Sequence, residues 1–158
     1  MKVLFLGQNP SSAAPNSVFV GTKSGILLQK LIEDAKIPMQ DISFANCLAT
    51  PSSKPLPRSM FDKKGKESSF ALFLLNFDLV YVCGSMAKVA IDRARNHHFL
   101  GRIVFVEIPH PSPRNRFWND KDSFNKVSDM IRLGYESAVT KKMEKISKRK
   151  HPQHIVDR

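Results

Sequence analysis

At 158 residues and 42% hydrophobic content, the chain can bury one core but not comfortably two, so a single domain with a tail is expected. Twenty-five Lys and Arg against fourteen Asp and Glu leave a formal charge of +11, a field that attracts polyanions and makes nucleic acid the leading partner. No apolar run approaches the ~20 residues of a spanning helix, and no basic segment followed by an apolar stretch opens the chain, so a membrane or secreted protein is not expected and a cytoplasmic one is.

The first predicted element is Val3-Leu4-Phe5-Leu6, a short continuous apolar run ended by Gly7, Asn9 and Pro10 and therefore a buried strand feeding a loop. From Ser24 the positions Leu27, Leu28, Leu31, Ile32 and Ala35 recur at helical spacing, with Pro38 as a stop. Ile42 to Leu48 reads as a second strand, and Pro51 to Pro57 as an exposed loop with Arg58, Lys63, Lys64 and Lys66 after it. Phe70, Phe73, Leu74 and Phe77 suggest a helix, Leu79 to Cys83 a buried strand, and Gly84-Ser85 a turn into a helix carrying Met86, Val89, Ala90 and Ala94. Ile103 to Ile108 is the fourth strand; the loop His110 to Asn119 and a helix through Phe124, Val127, Met130 and Ile131 to about Ala138 complete the domain.

Alternation of strands and helices predicts a three-layer α/β/α fold with a central, mainly parallel four-stranded sheet over residues 1–138. Residues 139–158 lose apolar periodicity and gain charge, a basic tail that is partly helical or disordered and serves either as a solvated end or as an arm gripping DNA. Cys47 and Cys83 both fall in apolar segments and read as reduced core thiols. They lack the His or Cys spacing of a metal site, and an iron–sulfur cluster needs four thiolates, so neither a metal nor a cofactor is expected. His-x-x-His at 151 and 154 reads as incidental. Parallel sheets bind ligands at the carboxyl ends of their strands, so the loops carrying Gln8-Asn9, Asn46 and His110-Pro111-Ser112 should meet in one crevice.

Two of those loops carry a resemblance. Gly7-Gln8-Asn9-Pro10-Ser11 and His110-Pro111-Ser112-Pro113-Arg114-Asn115 resemble the two signature motifs of the uracil-DNA glycosylase superfamily, in the family's order and at its strand ends. Val18-Phe19-Val20-Gly21 followed by Ser24-Gly25 looks like the segment in the thermophile-type branch that carries a base-stacking phenylalanine. Phe44-Ala45-Asn46 looks like the strand end holding a base-reading asparagine, and Val80 to Ala87 like the third strand and its helix. Arg114 and Asn115 are similar to the single-strand-selective branch, so the chain combines features of several branches, the mismatch-specific one included.

The resemblance implies an enzyme that flips a pyrimidine out of DNA and hydrolyses its bond to the sugar, leaving an abasic site in repair or in defence against modified foreign DNA. A stacked base cannot be reached in a duplex, so it must be extruded, stacked and read on its edge. By resemblance Phe19 stacks, Asn46 pairs with the edge, His110 donates to the base O2 with Gln8 beside it, and Asn9 orients the water. An amide is a poorer proton acceptor than the carboxylate of the most active branch, which implies slower turnover. Ser11, Ser12 and Ser112 would hold flanking phosphates, with Arg114 entering the gap in the duplex and Asn115 also meeting DNA. Ser11 stands where the most uracil-selective branch has a tyrosine, which leaves room for 5-substituted pyrimidines.

Taken singly, Asn9 and Asn46 are ordinary loop hydrogen-bonders, Phe19 an ordinary core residue and Arg114 an ordinary surface charge; their joint arrangement argues otherwise. Two rival readings stand beside the enzyme: a non-catalytic DNA-binding descendant of the same fold, and a nucleotide-binding α/β domain, for which the first loop lacks a Gly-x-Gly-x-x-Gly or Walker pattern. A monomer is expected.

Overall fold

Four short apolar runs become the strands of one sheet. The computed structural model describes residues 1–10, 18–19, 21–49, 52–54, 56–61, 67–97 and 99–150, and the strands are β1 (Val3–Gly7), β2 (Ile42–Asn46), β3 (Leu79–Cys83) and β4 (Val104–Ile108). Every pairing is parallel, in the spatial order β2-β1-β3-β4. β1 and β3 are buried at each residue because they occupy the middle, which explains their unbroken apolar sequences. The edge strands expose Ser43 and Glu107.

The helices are α1 (Lys23–Asp34), α2 (Arg58–Phe61), α3 (Glu67–Leu74), α4 (Ser85–His97) and α5 (Ser123–Lys150). Alternate strand residues face opposite ways, which gives the sheet two cores. On one face Val3, Phe5, Leu79, Tyr81 and Cys83 pack with Leu28, Leu31 and Ile32 of α1 and Val127, Ile131 and Ala138 of α5. On the other, Leu4, Leu6, Val80 and Val82 pack with Ala71 and Leu74 of α3 and Ala87, Ile91 and Ala94 of α4. The three-layer α/β/α architecture expected from the sequence is the one observed. Tyr81, fully buried and stacked on Phe5 at 4.5 Å, satisfies its hydroxyl on the Ile131 carbonyl. Gly134 makes room for it, since a β-carbon there would lie 3.2 Å from the Tyr81 hydroxyl and 2.9 Å from Val106 Cγ2.

The last helix runs on past Ala138 to Lys150, the helical one of the two states expected for the tail. Lys, Glu, Met and Arg are good helix formers, and charge spread along them does not end a helix. Side-chain ties also hold the extension down: Lys141 Nζ donates to the Gly101 carbonyl at 3.1 Å, Lys142 to the Asp78 carboxylate at 3.0 Å, and Lys145 to the Arg102 carbonyl at 3.4 Å. Asp78 immediately precedes β3, and Gly101 and Arg102 lie just before β4, so this basic segment is tied to the amino ends of those two strands. Burial by itself would raise the Asp78 carboxyl, but the Lys2 N–H and the Lys142 ammonium outweigh it and hold the group below the usual carboxylate range. His151 and His154 lie outside the described residues. Among the described residues no helix is long and apolar enough to cross a membrane.

Candidate active site

The chain leaves β1 toward β2 on one side and returns to β3 on the other, so the carboxyl ends of β1 and β3 form the switch point at which open parallel sheets bind ligands. Gly7 ends β1 there and faces Asn46 across the parallel pair. A β-carbon on Gly7 would lie 2.6 Å from Asn46 Oδ1 and 2.7 Å from Phe19 Cζ. The amide and the ring therefore both close over a bare α-carbon, a convergence that any larger residue would prevent.

Phe19 reaches this position at a conformational cost. Its φ of 65° lies in the left-handed region, where a bulky non-glycine residue is an outlier worth about 1–3 kcal/mol of strain. The following turn holds it there: its carbonyl accepts from Thr22 N at 3.3 Å and from Thr22 Oγ1 at 2.8 Å, while Thr22 Oγ1 caps α1 by accepting from Gly25 N at 2.9 Å. A β-carbon on Gly25 would sit 1.6 Å from the Phe19 carbonyl oxygen, so only glycine permits this turn. The ring meets Phe44 edge-on, with centroids 6.0 Å apart.

A second glycine joins the outer loops. Gly84, just after β3, has φ 92°, and a β-carbon there would lie 2.9 Å from both Gln8 Nε2 and His110 Cβ. Gln8, Gly84 and His110 thus meet above the switch point, one residue along from Gly7 with its Asn46 and Phe19.

The His110 loop is tied to itself. The Ser112 N–H donates to His110 Nδ1 at 3.2 Å; a main-chain N–H can only donate, so Nδ1 is the acceptor and the neutral ring carries its proton on Nε2. Burial pushes the imidazole below its ordinary value, favouring that neutral form. The His110 carbonyl accepts twice, from Trp118 Nε1 at 2.9 Å and from Asn115 Nδ2 at 3.3 Å. Asn115 Oδ1 in turn takes the Phe117 N–H at 3.1 Å and caps the 3-10 turn Arg116–Asn119. Asn115, expected from the sequence to meet DNA, thus has both ends of its amide engaged within the loop.

The remaining expected residues are less closely gathered. Asn9 follows Gln8, and its amide nitrogen donates to the Pro10 carbonyl at 3.0 Å. Ser112 is half-buried and its hydroxyl accepts from Arg114 N at 3.3 Å, while the Arg114 side chain is exposed. Ser11 and Ser12 lie outside the described residues. Cys47, beside Asn46, is pushed up to about 12 by burial, and Cys83 is pushed up for the same reason, so neither is a ready thiolate. Among the described residues no group of three or more His, Cys, Asp or Glu side chains could hold a metal ion.

Sequence reasoning passed over four contributors: the clearances at Gly7 and Gly84, the Thr22–Gly25 clasp, and the Trp118 donor. Thr22 carried a readable cap signal just before the Leu-rich helix. The glycine clearances carried none, because the side chains that need the space come from segments distant in the sequence from the glycine they cover.

The fold and these contacts define a parallel α/β domain with an aromatic ring and an amide gathered at Gly7 and a half-buried imidazole at Gly84, at the carboxyl ends of neighbouring strands. The model of the uracil DNA glycosylase superfamily matches residues 1–132, and the chain belongs to that superfamily. No curated protein matches the chain.

Proposed function

We propose that the protein is a monofunctional DNA glycosylase that hydrolyses the N-glycosidic bond of a flipped pyrimidine, uracil or a 5-substituted relative, and leaves an abasic site. The observation that carries this reading is the double convergence at the switch point: Phe19 and Asn46 over Gly7, and Gln8 and His110 over Gly84. A flat ring beside an amide suits a base that is stacked on one side and read along its edge. The extruded pyrimidine lies against Phe19 with its polar edge toward Asn46, whose amide offers both a donor and an acceptor.

Cleavage transfers the glycosidic electron pair to the base, leaving an oxocarbenium-like sugar and a base anion. A neutral His110 with its proton on Nε2 is suited to donate a hydrogen bond to the base O2 as that charge grows, with the Gln8 side chain meeting it over Gly84. By the family resemblance, the Asn9 amide orients the attacking water. Water oxygen joins the sugar carbon and its proton leaves to solvent. An amide drives that loss weakly, so turnover is slow. Ser112 and Arg114 hold phosphates on either side, joined by Ser11 and Ser12. Room at Ser11 admits 5-substituted bases, which suits defence against modified foreign DNA as well as repair. The protein acts as a cytoplasmic monomer.

The test is a panel of oligonucleotides, each carrying one uracil, thymine, 5-hydroxymethyluracil or cytosine, incubated with the protein and then alkali and scored for strand breaks. Breaks at uracil that disappear in Asn9→Ala and His110→Ala are expected. Tight binding with no breaks on any substrate would assign the protein to the non-catalytic descendants of the fold.

A further inference from the structure

The opposite end of the sheet holds an aromatic ring in water. Phe99, in the turn between α4 and β4, is 90% exposed, the most open of the large apolar side chains among the described residues. Its ring lies over Gly101: a β-carbon there would be 3.0 Å from Phe99 Cζ, 3.2 Å from Cε2 and 3.6 Å from Cε1. One side of the ring's outer edge thus rests on bare backbone. The rest is open. Cations of α5 converge on the same turn, with the Lys141 ammonium on the Gly101 carbonyl and the Lys145 ammonium on the Arg102 carbonyl. From Lys141 to Lys150 the helix carries Lys141, Lys142, Lys145, Lys148, Arg149 and Lys150 against one acid, Glu144.

We propose that Phe99 and the α5 lysines form a second nucleic-acid contact, in which an unpaired base stacks on the ring and the adjoining phosphates meet Lys141 and Lys145. Cationic charge selects a polyanion, and a single open ring beside it selects one with flat bases. The occupant is single-stranded, because bases within a duplex have no free face to offer. It is also a separate segment from any nucleotide at His110, since the five residues of β4 set the two ends about 17 Å apart at ~3.3 Å per residue. The contact stands or falls without the catalytic reading.

Fluorescence anisotropy on the full chain tests it, with His110→Ala as the background to slow any excision and with probes that carry no uracil. The probes are a labelled single strand, its duplex, phosphatidylserine vesicles and a polyglutamate peptide. Phe99→Ala is expected to weaken single-strand binding about tenfold and duplex binding far less, with Phe99→Trp restoring it. Lys141→Gln with Lys145→Gln should lower the single-strand salt slope by about 1.4. Since Phe99 packs so little, circular dichroism of Phe99→Ala should match the parent. Unchanged single-strand affinity in Phe99→Ala, equal losses on single strand and duplex, or a loss confined to vesicles or polyglutamate would each overturn the proposal.

Discussion

The two ends of the sheet are built on different principles. At the carboxyl ends, Gly7, Gly25 and Gly84 let Asn46, Phe19, Gln8 and His110 approach closer than any side chain would allow, one residue is held in a strained conformation, and desolvation of the half-buried imidazole favours its neutral form. At the amino ends, Lys141, Lys142 and Lys145 reach backbone carbonyls and one carboxylate through long flexible stems, and Phe99 stands in water. The first end depends on fixed geometry and should be intolerant of single atoms. The second depends on charge and exposed area and should tolerate most substitutions. This contrast matches what the two ends are proposed to do, since bond cleavage needs donors placed before charge develops, whereas holding a strand needs only attraction.

The largest expected break in the contrast comes from His110→Ala. Removing a donor aimed at developing charge should lower single-turnover uracil excision about 10²–10³-fold while leaving the fold intact by circular dichroism. The same imidazole sharpens the picture through pH. Because burial lowers its pKa, the active neutral form dominates above the ordinary value of 6.5, and the rate should stay level there and then fall about tenfold per pH unit once the ring protonates. The stability sign follows: the native state disfavours the proton, so stability is complete above 6.5 and erodes as pH falls toward the lowered native value.

Glycine substitutions compare the ends directly. Gly84→Ala places a β-carbon at a left-handed φ and 2.9 Å from His110 Cβ, so urea unfolding should show a loss of about 1–3 kcal/mol, with excision falling as well. Gly101→Ala meets only the end of an exposed ring and should cost less than about 0.5 kcal/mol. Trp118→Phe keeps an aromatic ring but removes one of two donors to the His110 carbonyl, a loss of about 0.5–1.5 kcal/mol in urea with excision reduced several-fold. The smallest effect belongs to Lys142→Ala. Its partly exposed pair with Asp78 is worth at most about 1 kcal/mol, and excision should not change.

Legibility in the sequence divided along similar lines. The four strands could be read because β1 and β3 are buried on both faces and so spell continuous apolar runs, and the helices because their apolar positions recur at helical spacing. That Gln8, Asn46 and His110 lie at the carboxyl ends of their strands followed from one rule about parallel sheets. The length of α5 was hidden because its last turns are held by Lys141, Lys142 and Lys145, whose partners precede β3 and β4 and leave no periodic mark. The bracing of the loop by Asn115 was hidden as well: the residue type suits a phosphate contact and a loop brace alike, and the brace appears only with His110 and Phe117 placed around it.

A crystal structure of His110→Ala bound to a single-uracil oligonucleotide tests the central claim most directly. The account places the extruded uracil against the Phe19 ring, its edge at the Asn46 amide and its O2 toward the vacated position 110. A uracil left stacked in the oligonucleotide, or one held only at Phe99 with nothing between Phe19 and Asn46, would contradict it.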